Sequence, residues 1–434
     1  TDPWVDNSAY FGSWTQAHQI PAEQREAIKL TEFIWISHGH PDHLSVATLR
    51  TLPNATILLA DHVGGRIASD LRRLGFKVIV LKDRTWTNLS KNINILTIPD
   101  YNQDSILLVD VGGKLLVNLN DTTAKGWGSF VQNTIKQFKS SFLLQGFGFG
   151  DVDMINFVDE HGNRIDPPNS TGDPVGKHMA RVAETYGVSH VIPFSSLHKY
   201  QRSDSVWARA YATELNDFSE GFESNDCTLL PAYIRYDCLT DTVEQINPTQ
   251  TSSRVIDSNE FGDDWRECLE LKDIDRVKEY FSAIEHLETK MDFIGMVVGG
   301  EEHIVELRKN GFNKGIVFEA PKNSLMRAIR YEIFDDLLIG NFMKTRLVGD
   351  WPKSGLYPDF TPYVGKYADN GLAKSIDELE TYFDAYRRRA PLDYIRHRIQ
   401  QKTAQAVKTR IDADSDIYRT AQHVWWFLRK KIGT

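Results

Sequence analysis

The sequence predicts an α/β fold, because short apolar runs typical of strands alternate with amphipathic, helix-like segments in its first part. Strand-type runs occupy Ile57 to Ala60 and Lys77 to Leu81, while helix-like segments occupy Val46 to Leu52 and Val63 to Leu74. Polar residues rich in histidine and aspartate follow several of the strands. With 434 residues, the chain is long enough to form two or three domains.

The first of these polar segments follows the apolar run Ile34 to Ile36 and has the pattern H-x-H-x-D-H, from His38 to His43. His38 and His40 are two residues apart, so their imidazoles point the same way on an extended segment. Asp42 and His43 lie on the following turn, where they can face a second cation. The spacing predicts two metal sites, and the alternative is a polar loop with incidental histidines.

The next segments read as a β-hairpin that ends in a carboxylate. Apolar runs from Ser105 to Asp110 and from Lys114 to Asn118 flank the turn residues Gly112 and Gly113, a pattern typical of a hairpin. Asp121 follows the second run. A carboxylate in that position can bridge two cations, or it can cap the following turn.

A second strand with a histidine beyond it lies further along the chain. Ser140 to Gln145 reads as a strand and Gly176 to Tyr186 as a helix, and a strand then begins at Val188. His198 follows that strand and a polar loop, so it is a candidate metal ligand. His190 lies inside the strand itself, which is more typical of a core residue.

These motifs together resemble the metallo-β-lactamase superfamily in its UlaG-like branch, and within it the metallo-β-lactamase part of the CMP-N-acetylneuraminate hydroxylase family. The resemblance rests on Asp2-Pro3-Trp4, the His38 to Ser45 turn, Asp121 and His198. It covers about residues 1–240 and extends faintly to 335–340 and 345–347. It implies an αββα four-layer sandwich with a metal cluster at the sheet edges. His38 and His40 would then bind the first metal, Asp42 and His43 the second, Asp121 would bridge them, and His198 would complete the second site.

One expected ligand of that family is missing. The superfamily supplies a third histidine to the first metal from the loop before the hairpin, but the loop from Pro99 to Ser105 contains none. Asp100 takes that position when the sequence is laid on the hydroxylases without gaps, and Tyr101 takes it with the more usual spacing. A carboxylate suits iron or manganese better than zinc. The alternative is a first site that is weakened or empty.

The resemblance and the motifs predict an enzyme that holds two divalent metal ions, with iron favoured and zinc or manganese as alternatives. The first hypothesis is a dinuclear iron oxygenase that hydroxylates a small polar, sugar-nucleotide-like substrate. The second is a hydrolase of an ester, lactone, amide or phosphodiester, in which Asp42 orients the nucleophile. A third is a non-catalytic metal-binding or carrier module. The sequence lacks the two Cys-His pairs of a Rieske cluster, so the oxygenase needs an electron-donor protein or an upstream segment.

The chain divides into three predicted regions. Residues 1–245 form the catalytic domain, 260–350 a smaller α/β domain, and 351–434 a helical C-terminal extension that includes a helix from Ile376 to Arg389. The middle region loosely resembles the sterol-carrier-protein type of domain. That likeness implies an apolar groove for a substrate tail, and a packing or dimerisation domain is the alternative.

Composition predicts which partners and which compartment the protein has. The net charge of −9 gives no electrostatic footprint for nucleic acid, and no apolar stretch is long enough to cross a membrane. Three unevenly spaced cysteines argue against a disulfide framework, so we expect a soluble protein in a reducing, cytoplasmic compartment. The chain begins with Thr1 rather than Met, and we expect it to start inside a longer polypeptide. The oligomeric state is not predicted.

Overall fold

The structure is a computed structural model. It describes residues 1–100, 104–122, 128–148, 155–167, 174–195, 197–252, 254–308, 311–352, 355–357, 359–367, 373–389, 391, 392, 394, 395, 398 and 399. Tyr101 and residues 401–434 of the predicted C-terminal extension therefore lie outside the described residues.

Two sheets form the centre of the N-terminal region. Three parallel strands make the smaller sheet, in the order β2-β3-β4. Seven strands make the larger one, in the order β12-β10-β9-β8-β7-β6-β5. The bounds are β2 Phe33–Ile36, β3 Thr56–Ala60, β4 Val78–Leu81, β5 Thr87–Ser90, β6 Ile93–Pro99, β7 Ser105–Val111, β8 Lys114–Asn120, β9 Ser140–Gln145, β10 His190–Val191 and β12 Thr228–Leu229.

Side-chain alternation along the strands separates the layers. In β2, Ile34 and Ile36 pack with residues of helices α2 (Val46–Arg50) and α3 (Arg66–Arg73). Trp35 points the opposite way and packs with Ile95 and Leu107 of the larger sheet. A strand exposes successive side chains on opposite faces, so one short segment contributes to both the helix–sheet layer and the sheet–sheet layer.

Helices cover the outer face of the larger sheet. Leu96 and Leu108 belong to a cluster that also contains Val131 of α4 (Gly128–Ile135) and Met179 of α5 (Val175–Tyr186). Helix, sheet, sheet and helix thus follow one another, and the predicted αββα sandwich is confirmed. The β7–β8 hairpin also has the predicted turn, with Val111 paired to Lys114 around the two glycines.

The C-terminal region contains a third main sheet, in the order β16-β15-β17-β18. Its apolar residues, among them Ile294 and Phe318, belong to the same buried cluster as the larger N-terminal sheet. The bounds are β15 Phe293–Val298, β16 Glu301–Glu306, β17 Gly315–Glu319, β18 Lys344–Val348, α6 Leu271–Ser282, α7 Lys322–Tyr331, α8 Asp335–Ile339, α9 Thr361–Tyr367 and α10 Ile376–Arg389. The predicted domain boundaries and the sterol-carrier likeness stay predictions.

Several smaller elements surround these sheets. The segment from Asp2 to Val5 forms no strand, and the Asp2 amide donates to the Trp35 carbonyl. His198, which was predicted to follow a strand and a polar loop, begins a short strand. The remaining elements are α1 Ala22–Lys29 and the strand pairs β1 Trp14–Gln16 with β11 His198–Tyr200 and β13 Ile234–Asp237 with β14 Thr242–Gln245.

Two further expectations concern the protein's environment. Cys227, Cys238 and Cys268 form no disulfide. In the described part of the chain, every helix is too short or too polar to span a bilayer.

A buried ion cluster joins the N-terminal region to the segment before α6. Arg202 is fully buried, and its guanidinium lies 2.7 Å from Asp263 and 2.8 Å from Asp204. It also donates to the carbonyl of Phe11 at 2.9 Å. A buried cation held by two carboxylates leaves them uncompensated when it is removed.

We therefore expect Arg202→Met to lower the free energy of unfolding by about 3–5 kcal/mol, because the buried Asp263 and the partly buried Asp204 would lose the cation that balances their charges. Urea denaturation measures this change. The control is Arg235→Met, whose side chain is 54 % exposed beside Glu23 and Glu244 and should cost less than about 1 kcal/mol. Equal losses in both variants would contradict the prediction.

Candidate metal centre

The histidine-rich turn is held at the edge where β2 ends. Ser45 closes the turn by capping α2, its hydroxyl accepting from the Thr48 amide. Asp121 comes to the same edge from the end of β8, which also packs parallel to its neighbour β9. Asn120 has a φ of 54°, a left-handed conformation that asparagine tolerates better than most residues. This turn directs the chain away from the strand just before Asp121.

The donor atoms of both predicted pairs converge on Asp121. His38 Nε2 and His40 Nδ1 are 2.8 Å apart, and His43 Nε2 lies 3.3 Å from Asp42 Oδ2. Asp121 Oδ2 lies 3.7 Å from His38 Nε2 and 3.4 Å from His43 Nε2. One carboxylate oxygen therefore stands between the two pairs, where a bridging ligand has to be.

These distances fit a metal centre. Ligands bound at about 2.1 Å to one cation lie about 3.0–3.4 Å from each other in octahedral or tetrahedral geometry, and the four distances range from 2.8 to 3.7 Å. Donor atoms of His38, His40 and Asp121 also lie within 4.8 Å of one another, as three ligands of one ion would. The Asp121 side chain is 38 % exposed, so the centre is open to solvent on this side.

Each histidine has a carboxylate at its other ring nitrogen. His40 Nε2 lies 3.3 Å from Asp335 Oδ2. His38 Nδ1 lies 3.6 Å from Asp104 Oδ1, and His43 Nδ1 lies 3.5 Å from Asp2 Oδ2. Such partners orient metal-binding histidines and raise their basicity.

The tautomer of His40 directs a lone pair inward. An ionised carboxylate only accepts hydrogen bonds, so His40 carries its proton on Nε2 beside Asp335, and its Nδ1 is an acceptor. His38 Nε2 lies 2.8 Å from that acceptor, so a cation bound at His40 Nδ1 is within reach of His38 Nε2 as well.

The electrostatics of the cluster also favour a cation. Burial, with the charges of Asp100 and Asp121, raises the pKa of Asp104 well above its usual value. Burial also lowers the pKa of His38, which keeps it neutral. Burial alone would raise the pKa of Asp42, but the charge of His43 outweighs it and holds that pKa below its usual range. The neighbouring carboxylates carry negative charge and His38 is neutral, so a bound cation would balance charge in this cluster.

Asp42 is also held by a tyrosine. The Tyr10 hydroxyl donates to Asp42 Oδ1 at 2.5 Å, which leaves Oδ2 to face His43. Burial and the charge of Asp42 raise the pKa of Tyr10 well above its usual value. Tyr10 therefore remains a hydrogen-bond donor, and Asp42 remains an ionised acceptor.

Asp100 lies buried at the base of the loop before the hairpin. Its Oδ1 accepts from the Asp104 amide at 3.2 Å, and its own amide donates to the Asp104 carbonyl at 2.9 Å. The contact with His38 within this loop is made by Asp104. The assignment of Asp100 as a ligand of the first metal stays a prediction.

His198 is buried against aromatic rings. It stacks on Trp14 with 3.5 Å between ring centroids, and Trp14 in turn contacts Tyr10, the partner of Asp42. Its backbone pairs with Gln16 across β1 and β11. The rings of Trp14 and Tyr10 therefore connect His198 to Asp42. Its role as a ligand of the second metal stays a prediction.

The three carboxylates behind the histidines, Asp2, Asp104 and Asp335, were not predicted as site residues from the sequence. Asp2 carried a weak signal as part of the Asp2-Pro3-Trp4 motif. Its Oδ1 accepts from the Ser37 amide at 2.7 Å, and its Oδ2 accepts from Asn120 Nδ2 at 2.6 Å. Asp335 lies in the segment 335–340, to which the resemblance extends only faintly, and Asp104 had no signal for this role. They stand 295 and 66 residues from their histidines.

The chain has relatives of known name over part of its length. A stretch of 136 residues is 26 % identical to the cytidine monophosphate-N-acetylneuraminic acid hydroxylase of Sus scrofa, covering 29 % of this chain and 31 % of that protein. The hydroxylase of Asterias rubens is 27 % identical over 137 residues, covering 30 % of this chain and 21 % of that protein. The chain is similar to these hydroxylases. The match spans less than a third of their length, and no family model matches the chain.

Solved structures with the metallo-β-lactamase fold give more distant likenesses. The metallo-beta-lactamase fold protein YhfI of Bacillus subtilis has a TM-score of 0.28 and 10 % identity, covering 46 % of this chain and 74 % of that one. A diphosphatase of the PhnP family has a TM-score of 0.27 and 13 % identity. The match covers 52 % of this chain and 76 % of the diphosphatase. The sequence relatives and the His/Asp cluster together support a metal-dependent enzyme.

Asp121 provides the most direct test of the centre. We expect Asp121→Asn to reduce the metal content of the purified protein from about two ions per chain to less than one, because the neutral amide is a poor bridge between cations. Elemental analysis by mass spectrometry measures this content. The control is Asp70→Asn, which changes a partly exposed carboxylate on α3. Unchanged metal content in Asp121→Asn would exclude the bridging role.

A buried histidine behind the cluster gives a prediction about pH. His62 Nε2 donates to the Ser37 carbonyl at 3.1 Å, and burial lowers the pKa of His62 to about 4. The unfolded value is about 6.5, so the folded state binds fewer protons than the unfolded state. Its contribution to stability is complete above about pH 6.5 and declines as the pH falls toward 4.

We therefore expect the metal-free protein to lose about 2 kcal/mol of stability between pH 7 and pH 5 through His62 alone. His62→Gln should remove that part of the pH dependence, whereas His161→Gln, at an exposed histidine, should retain it. Urea denaturation in the presence of a chelator measures both. Equal pH dependence in the two variants would contradict the assignment.

Proposed function

We propose that this protein is a dinuclear metal enzyme in which Asp121 bridges the ions held by His38 with His40 and by Asp42 with His43. The observation that carries the proposal is the position of Asp121 Oδ2, 3.7 Å from His38 Nε2 and 3.4 Å from His43 Nε2, one histidine of each pair. Bound cations supply positive charge and open coordination positions for an oxygen species or a substrate oxygen. The exposed side of Asp121 gives that substrate a way in.

We propose further that the reaction is a hydroxylation by dioxygen. Two features support it over hydrolysis: the relatives are named hydroxylases, and two carboxylates, Asp42 and Asp121, lie among the five proposed ligands. Oxygen-rich donor sets suit iron and manganese better than zinc, which prefers nitrogen and sulfur. The substrate class is a small polar molecule, and a sugar nucleotide is the form that the relatives' names suggest.

The balance of this reaction requires a partner. One C–H bond and dioxygen, with two electrons and two protons, yield one C–O–H group and one water. We propose that the two electrons come from a separate electron-donor protein. Tyr10 and Asp42 together form the buried, hydrogen-bonded pair that keeps a carboxylate ionised beside the reacting oxygen, and the same pair would orient water in a hydrolase.

Protein purified without added metal is expected to contain about two irons per chain. Supplied with a reduced ferredoxin-type donor and cytidine monophosphate-N-acetylneuraminic acid, it should consume dioxygen and add one oxygen atom to the substrate. Mass spectrometry detects the gain of that atom, and Asp121→Asn is the inactive control. Isotopically labelled dioxygen identifies the source of the oxygen.

A different metal and a different reaction would overturn the hydroxylase. Zinc as the only bound metal, with dioxygen-independent cleavage of a phosphodiester or lactone that Asp121→Asn abolishes, would establish the hydrolase. Protein that binds neither metal would remove the dinuclear centre itself.

A further inference from the structure

We infer that the metal centre is completed by the C-terminal region, which supplies Asp335 as the positioning residue of His40. This inference rests on the proposed function, because it concerns one histidine of that centre. Asp335 Oδ2 lies 3.3 Å from His40 Nε2, across 295 residues of sequence. The carboxylate is buried, with the residue only 7 % exposed.

The segment that carries Asp335 is fixed against the N-terminal region. Every residue of α8 is buried. The Ser13 hydroxyl donates to the Gly340 carbonyl at 2.6 Å, and Trp207 Nε1 donates to the Asn341 carbonyl at 2.9 Å. Asn341 in turn donates to the Tyr200 hydroxyl at 2.9 Å. The contact between Asp335 and His40 is thus part of a packed interface with its own hydrogen bonds.

The chemical role of Asp335 follows from the geometry of His40. Only one ring nitrogen of His40, Nδ1, faces His38 and the centre, so a metal can be bound there only if the proton stays on Nε2. A carboxylate at Nε2 accepts that proton's hydrogen bond and selects this tautomer. Without it, the neutral ring can place its proton on Nδ1 and lose the ligand.

A second C-terminal residue lies on the same side of the centre. Lys366 of α9 is buried and donates to the Pro362 carbonyl at 3.2 Å. Burial lowers the pKa of Lys366 to about 8, while the charges of Asp100, Asp104 and Asp335 oppose that change. Lys366 thus places a positive charge near these three carboxylates. The C-terminal region therefore contributes both a partner for a histidine and a counter-charge for the carboxylates around it.

The test compares two neighbouring buried carboxylates. We expect Asp335→Asn to weaken binding of one of the two metal ions by about 10–100-fold, and Asp336→Asn to weaken it by less than about threefold. Titration of the metal-free full-length protein with Co²⁺ measures both dissociation constants, and the visible absorption of bound Co²⁺ reports the coordination of the affected site. Asp335→Glu should recover most of the affinity, since the carboxylate is retained.

Different results would contradict the role of Asp335 and the proposed dinuclear centre. Wild-type affinity and absorption in Asp335→Asn would overturn the inference while leaving the dinuclear centre intact. Failure of the wild-type protein to bind Co²⁺ would overturn the proposed function instead. If Asp335→Asn does not fold, the test uses Asp335→Glu and Asp335→Ser in a His40→Ala background. There, any further loss of Co²⁺ affinity would show that Asp335 acts through another residue.

Discussion

The structure of the centre depends on one constraint: His38, His40 and His43 must each direct one ring nitrogen into the same small volume. Asp2, Asp104 and Asp335 meet that constraint from outside by lying beside the opposite ring nitrogens. Negative charge thus accumulates around the histidines, and burial together with the charges of Asp100 and Asp121 raises the pKa of Asp104. A bound cation would reduce the repulsion between the negative charges of these carboxylates.

The sequence predicted the parts of this arrangement that depend on local periodicity. The alternation of Ile34, Trp35 and Ile36 places them on two faces of a strand, and the pattern after β2 places His38 and His40 on one side. Asp121 was identified because it follows a buried strand of a recognisable hairpin. Helix bounds were less accurate: Arg66 begins α3 where Val63 was expected, because Gly64 and Gly65 adopt positive φ angles and delay the first turn.

The parts that could not be predicted depend on long-range packing. The faint resemblance at 335–340 did not indicate that Asp335 contacts His40, because this contact exists only when α8 packs beside the turn of His40. Asp104 was overlooked for a related reason: Asp100 occupies the aligned position, whereas Asp104 Oδ1 lies beside His38 Nδ1. His198 was expected in a loop, yet β11 pairs with β1 and stacks it on Trp14.

The contact between His40 and Asp335 also fixes an order of events during synthesis. At about 5–20 residues per second, the 295 residues between them take roughly 15–60 s to emerge from the ribosome. Throughout that interval the histidine turn has been made, but the carboxylate that selects its tautomer has not. If Asp335 positions His40 as proposed, tight metal binding follows the folding of the C-terminal region against the sandwich, and a chain that ends before Asp335 would lack this partner of His40.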